Sequence, residues 1–233
     1  MTRSWVKKEL KKEPLEAIVG KMIDYSKANK NNLLMGVAIV GIIGLFAGVI
    51  IKNKITENKQ AVKMFAMAQN DFYRFNYKKA IKNFESIEKQ YGSVEIMDQV
   101  IYLKGLCYYR QGDYEVAGRV FSGGIEKYKK SNIIMELRLS LGIVYEDLGE
   151  MDKALDQYGR IEDNHYLKPE AFAGMARVYE SQNKIKEAIN EYTKLQSHYV
   201  NTYWGNVATQ RLAALGVGSE ENKGYIPEID IRQ

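Results

Sequence analysis

The chain of 233 residues has one cysteine, Cys107, and three prolines. One thiol cannot build a disulfide framework. Its position also leaves no N-terminal cysteine to carry a lipid. The two histidines, His165 and His198, lie far apart. Asp163 near His165 does not by itself make a metal site. There is no glycine-rich phosphate loop and no G-x-S-x-G elbow. These absences leave no catalytic, cofactor-binding or metal-binding residue to assign, and the chain reads as a non-enzyme. From about residue 57 to 215 glycine and proline breaks are few, and the alternation of a half-buried strand is missing. That excludes a sheet-based domain and leaves an all-α one.

Charge is missing altogether from one stretch. Leu33 to Ile51 reads LLMGVAIVGIIGLFAGVII, without a strongly polar side chain. As a helix it spans about 28 Å, close to a bilayer's hydrocarbon thickness. Thirty-two residues precede it, and it exits through Ile50, Ile51, Lys52, Asn53 and Lys54 with no small-residue cleavage site. A secretory signal peptide is shorter and differently flanked. A core helix of a soluble domain is seldom apolar all round at this length. The run is therefore expected to be an uncleaved transmembrane anchor. Gly41, Gly44, Ala47 and Gly48 share one side of it. Gly44-x-x-x-Gly48 matches a motif for close helix packing, so homo-oligomerisation is a further expectation.

Eight basic residues precede the run: Arg3, Lys7, Lys8, Lys11, Lys12, Lys21, Lys27 and Lys30. Four follow within a similar distance: Lys52, Lys54, Lys59 and Lys63. The basic side is expected to be cytoplasmic, with the larger part across the inner membrane. The net charge of +5 divides into +6 for residues 1–55 and −1 for residues 56–233. The basic balance is thus a juxtamembrane property. It serves topology and attraction to anionic lipid, and argues against a nucleic-acid-binding domain. Glu13 to Asn29 is expected to be helical, opening with Pro14. Leu15, Ile18, Val19, Met22 and Ile23 form its apolar stripe. Membrane lipid and a cytoplasmic protein are the two surfaces that stripe suits.

What the chain has in abundance is self-similarity. Asn76-Tyr77-Lys78-Lys79-Ala80-Ile81 recurs around Ala117, Ala154 and Ala188, at spacings of 37, 37 and 34 residues. Twelve residues before each alanine sits a small residue: Ala68, Gly105, Gly142 and Ala176. Four residues after each sits an aromatic: Phe84, Phe121, Tyr158 and Tyr192. Nine residues before three of them is a tyrosine, Tyr108, Tyr145 or Tyr179; Asp71 takes that place in the first. Small residues let two helices of a hairpin approach, and aromatics fill the space between successive hairpins. One hairpin cannot bury its apolar face alone, so the units must stack.

This pattern resembles the tetratricopeptide repeat, a helix–turn–helix unit of 34 residues. The resemblance covers roughly residues 57–200 in four repeats, each with a helix A and a helix B. Two spacings exceed the usual unit by three residues. The proline usual near a repeat's end is missing, apart from Pro169 after repeat three. The first repeat reads as a degenerate cap, continuous with the membrane helix. Asn201 to Leu215, with Trp204, Val207, Ala208 and Leu212, reads as a single capping helix. The polar tail, residues 216–233, is expected to be disordered. The expected organisation is 1–32 juxtamembrane, 33–51 transmembrane, 57–215 repeats and 216–233 tail.

Tyr102-Leu103-Lys104-Gly105-Leu106-Cys107-Tyr108-Tyr109-Arg110-Gln111-Gly112-Asp113-Tyr114 is similar to repeats of bacterial envelope assembly and cell-division lipoproteins. The order of amphipathic stretch, single span and repeats resembles inner-membrane proteins that assist the secretion translocon and periplasmic chaperones. Cys107 falls in helix A of repeat two as a small buried residue, and Gly123-Gly124 in helix B as a site of close packing or a kink. Both histidines fall near ends of B helices, where solvation is expected.

In the family resembled, A helices line a concave groove. That resemblance implies groove positions for Phe65, Gln69, Phe72 and Tyr73, then for Gln99, Tyr102, Leu106, Tyr109 and Arg110. Glu136, Ile143, Glu146, Asp147, Glu170, Arg177 and Glu180 follow. The candidate protein-binding set is Phe72, Tyr73, Gln99, Tyr102, Tyr109, Arg110, Asp147 and Arg177. The alternative for the tyrosines is packing between helices. The groove's start is aromatic and its later part is expected to be acidic. Phe65 and Gln69 stand where a basic-and-asparagine clamp for chaperone C-termini would need other residues. The expected function is a membrane-anchored scaffold that binds translocon, chaperone or envelope-assembly proteins. A cytoplasm-facing adaptor in the same fold is the alternative.

Overall fold

The computed structural model describes residues 13–217, with ten helices and no strand among them. The basic residues before Glu13 and the tail beyond Val217 lie outside the described residues, as does the expectation of a disordered tail. The chain divides into two units at Glu57/Asn58.

In the first unit, α1 spans Glu13–Ala28. Ile18, Val19, Met22 and Ile23 are exposed along it. Asn29 ends the helix: its backbone N–H and its side-chain Nδ2 both donate to the Tyr25 carbonyl, at 3.0 and 3.2 Å. α2 runs over Lys30–Tyr73 and contains the whole apolar run. Among the described residues it is the one helix long and apolar enough to cross a membrane, and none of its apolar window is buried.

The second unit begins within α2, whose residues from Asn58 onward serve as helix A of the first repeat. Helix α3 (Tyr77–Tyr91) is its helix B. Repeat two is α4 (Met97–Arg110) and α5 (Tyr114–Lys127). Repeat three is α6 (Ile134–Asp147) and α7 (Met151–Gly159). Repeat four is α8 (Lys168–Ser181) and α9 (Ile185–His198), and α10 (Tyr203–Ala214) caps the stack.

The B helices are amphipathic because only one side meets the stack. α3 buries Ala80, Ile81, Phe84 and Ile87, the i, i+1, i+4, i+7 stripe of a helix with one wet face. The A helices have neighbours on several sides. α6 accordingly buries Leu137, Leu139, Ser140, Leu141, Gly142 and Val144. Pro169 opens α8 in the first turn, where a missing N–H costs nothing. Thr202 caps α10, its Oγ1 accepting from the Gly205 N–H at 3.2 Å.

Each A–B turn needs one residue with left-handed backbone. Gly112 (φ +82°), Gly149 (φ +75°) and Asn183 (φ +58°) fill it in repeats two to four. In repeat one the position is Phe75, at φ +61°. Asp71 is buried and structural. It accepts from Lys79 Nζ at 3.0 Å and from Asn83 Nδ2 at 2.9 Å, tying α2 to α3 where the other repeats use tyrosine.

The small residues work by contact with the aromatics. A Cβ placed on Gly142 falls 2.5 Å from Tyr158 Cε1, and one on Gly174 falls 2.7 Å from the other edge of the same ring. Tyr158 is thus wedged between α6 and α8, filling the gap between successive hairpins. Gly124 is close-packed, with its added Cβ 2.8 Å from Ile101 Cγ2, whereas Gly123 faces open space. Cys107 is fully buried, and burial pushes its thiol up to about 12. His198 is the exposed last residue of α9. His165 differs from the expectation. It lies in the turn after α7, half-buried, its Nδ1 accepting from the Leu167 N–H at 3.3 Å and its ring 4.5 Å from that of Tyr166.

Candidate protein-binding groove

The repeat spacing aligns three positions at every junction between repeats. One comes from the end of helix A, one from helix B, and one from helix A of the next unit. At the first junction they are Phe72, Phe84 and Leu106. At the second they are Tyr109, Phe121 and Ile143. At the third they are Glu146, Tyr158 and Arg177, and at the fourth Glu180, Tyr192 and Arg211. The first two junctions are apolar or aromatic and the last two are ionic.

The third junction is closed by charge-assisted hydrogen bonds. The Tyr158 hydroxyl donates to Glu146 Oε2 at 2.8 Å. Arg177 Nε donates to Glu146 Oε1 at 2.9 Å, and a terminal guanidinium nitrogen donates to Oε2 at 3.0 Å. This bidentate fork is the strong form of the contact. Burial, followed by the Glu146 charge, raises the Tyr158 pKa. The fourth junction repeats the arrangement. Arg211 Nε donates to Glu180 Oε1 at 3.3 Å, and Arg211 also meets Oε2. Burial and the hydrogen bond to Glu180 push the Tyr192 phenol up to about 12.

Two of the acidic side chains expected in the later groove are therefore paired across the junctions. Glu146 and Glu180 are each neutralised by an arginine from the next unit. Asp147 accepts from the Tyr109 hydroxyl, which burial and that bond push up to about 12. Glu136 accepts from the Tyr166 hydroxyl at 2.5 Å. Glu170 is half-buried, and burial pushes its carboxyl up against the opposing pull of Arg177.

The candidate residues fall into groups. Phe72 is half-buried, its ring 5.4 Å from that of exposed Tyr73 and 5.8 Å from that of Tyr77. Tyr102 is half-buried against Phe121, at 6.3 Å between ring centroids, and hydrogen-bonds Ser140. Tyr109 is half-buried, 5.4 Å from Tyr114, and meets Asp147. Gln99 and Arg110 are exposed at opposite ends of α4. Arg177 engages Glu146 in place of open solvent. Tyr102 and Tyr109 thus combine packing with partial exposure. Arg211 and the Tyr158 and Tyr192 hydroxyls were missed as polar groove elements. The signal for them was present, since the spacing that aligns Glu146 with Glu180 also aligns Arg177 with Arg211. Among the described residues no group of three His, Cys, Asp or Glu side chains is placed to hold a metal ion.

This architecture, helical hairpins stacked into a solenoid, defines a class of repeat protein. The tetratricopeptide-repeat family model matches residues 99–131, which cover most of α4 and all of α5. The second unit is a tetratricopeptide-like solenoid. A tetratricopeptide repeat protein from Parabacteroides merdae aligns at TM-score 0.58 with 13% identity, over 67% of this chain and 60% of that one. The chain thus spans less than two thirds of that protein's length. A putative kinesin light chain with nearly identical repeats from Podosopora anserina aligns at 0.56 with 12% identity, over 68% and 86% of the two chains. YrrB, described as a tetratricopeptide protein with an unusual peptide-binding site, aligns at 0.54 with 17% identity, over 64% and 74%. At these identities the likeness is one of fold. No curated protein matches in sequence.

Proposed function

We propose that this protein is a membrane-anchored scaffold that holds other proteins on the concave face of its repeats, in envelope protein biogenesis or complex assembly. The observation that carries the reading is the division of the groove. Its first half offers half-buried rings, Phe72, Tyr102 and Tyr109, beside the exposed Arg110. Partly buried aromatics with a nearby arginine are the usual composition of binding hot spots. The second half is cross-tied by Arg177 and Arg211 and acts as a rigid frame. YrrB, a protein of the same fold, is described by its peptide-binding site, which supports a peptide or protein segment as the occupant.

Anchoring through Leu33–Ile51 is supported by the exposure of the run's apolar side chains, among them Val37, Ile42, Phe46 and Ile50. A bilayer is the environment that would cover them. The excess of basic residues before the run supports a cytoplasmic N-terminus and repeats outside the inner membrane. Two measurements test the proposal. Protease added to the outer face of the inner membrane should digest residues 56–233 and spare the N-terminus. Protection of the repeats with cleavage of the N-terminus would establish the cytoplasm-facing adaptor. Tyr109→Ala with Arg110→Ala should lower partner recovery in crosslinked pull-down from intact membranes while the helical melt stays near the parent's. Ala117→Leu, at a fully buried position, should lower the melt by overpacking. If the groove pair unfolds the domain as far as Ala117→Leu does, those side chains are core and the site lies elsewhere.

A further inference from the structure

The turn of the first repeat differs in chemistry from its counterparts. α5, α7 and α9 carry a carboxylate in their first turn, Glu115, Asp152 or Glu187, and α3 carries none. Lys78 and Lys79 stand there instead. Lys79 is tied to Asp71 at 3.0 Å. Arg74 and Lys78 are exposed and form no ion pair among the described residues. Phe75 stands at φ +61° where the next three repeats place Gly112, Gly149 and Asn183, and its ring is 77% exposed. A bulky side chain rarely adopts that backbone, and packing within the repeat does not account for it. The Phe75 and Tyr77 rings lie 6.3 Å apart beside a cavity of about 530 Å³ that Asn76, Lys78, Lys79 and Gln111 also line. Four of those six residues are exposed, so the cavity is a trough that a chain can cross.

A later junction shows what this one lacks. Gln182 follows α8 as Gln111 follows α4, each six residues before the alanine of its repeat. Gln182 Nε2 donates across the junction to Asp152 Oδ1 at 3.4 Å. Lys78 takes the place of Asp152, each two residues before its own repeat's alanine. Gln111 therefore shares its cavity with a cation, and its Nε2 is buried without an acceptor. Half a turn of the amide presents Nε2 to the cavity, as Gln182 presents its own to Asp152. A carboxylate from outside would accept from that donor and pair with Lys78, with Arg74 beside it on the turn. We propose that the turn docks an acidic segment of a partner protein. An Asp or Glu side chain enters between Lys78 and Gln111, and an adjacent apolar side chain packs on Phe75 and Tyr77. The site is separate from the groove residues Tyr109 and Arg110.

A phage library of random heptapeptides, joined to the coat protein at their C-termini, is panned on the full chain in detergent. It offers side-chain carboxylates and no free C-terminus. The selected peptides should place Asp or Glu beside an aromatic or aliphatic residue. Their affinity, read by fluorescence anisotropy, should fall about tenfold when Asn or Gln replaces the acid, and as far with Lys78→Glu in the protein. Lys78→Glu puts a carboxylate where Asp152 stands opposite Gln182, so its melt should be no lower than the parent's. Phe75→Gly, at a position where glycine fits the backbone, should likewise keep the melt and weaken the peptide. Selection of peptides without an acidic residue overturns the inference, as does binding indifferent to Lys78→Glu and Phe75→Gly. Peptides lost with Tyr109→Ala and Arg110→Ala but kept by Lys78→Glu belong to the groove, and they overturn this inference while leaving the groove reading standing.

Discussion

Gly142→Ala and Gly123→Ala are chemically identical changes with opposite expected signs. A methyl on Gly142 lies 2.5 Å from Tyr158 Cε1 and 2.8 Å from Cδ1. The ring cannot retreat. Its far edge meets α8 at Gly174, and its hydroxyl is held by Glu146 at 2.8 Å. Overpacking a tight core costs about 1–3 kcal/mol, and a ring trapped on both sides belongs in the upper half of that range. Alanine in place of helical glycine returns about 1 kcal/mol. The net is a loss of about 1–2 kcal/mol, or a fall in Tm of about 2–8 °C for a domain of this size. Gly123 is exposed in α5 with nothing within 4 Å of an added Cβ. There the propensity gain stands alone, and Tm should rise by about 2–4 °C. Far-UV circular dichroism melts of the full chain in detergent read both. A Gly142→Ala protein melting at or above the parent would refute the wedge between α6 and α8.

Asp71→Ala leaves Lys79 and Asn83 without their shared acceptor and should cost about 1–3 kcal/mol in urea unfolding; an unchanged midpoint would mean the tie between α2 and α3 is dispensable. A double-mutant cycle of Tyr158→Phe and Glu146→Gln should show coupling of about 1 kcal/mol, and additive effects would remove the hydrogen bond from the account of the third junction. Glu170 has a carboxyl pKa raised by burial. The folded state thus keeps its proton to higher pH than the unfolded chain does, and this contribution favours folding at low pH and is lost as pH rises through the folded pKa. Glu170→Gln should raise Tm at pH 7 and flatten the Tm–pH profile just above the ordinary glutamate range, and parallel profiles for the two proteins would count against it.

Much of the fold was readable because its causes are local or periodic. A helix presents the same side every 3.6 residues, so Ala80, Phe84 and their counterparts at fixed spacing declare helices and a repeat. The absence of charge in Leu33–Ile51 declares a helix of membrane length. The close approach at Gly142 and the burial of Cys107 follow from repeat position alone. The groove's electrostatics were less readable. Counting carboxylates along A helices gives an acidic face, but Arg177 and Arg211 lie 31 residues beyond their partners.

The sequence by itself determined the helices, the four-unit register and the apolar run, because each depends on spacing within one segment. Only the tertiary structure decided which charges meet. Stacking carries Glu146 to Arg177 and Glu180 to Arg211, and turns an acidic stripe into a cross-tied frame. Stacking also wedges Tyr158 between glycines of two repeats. It leaves Phe75 in the open, since the turn geometry requires a left-handed residue there and no neighbouring helix covers its ring.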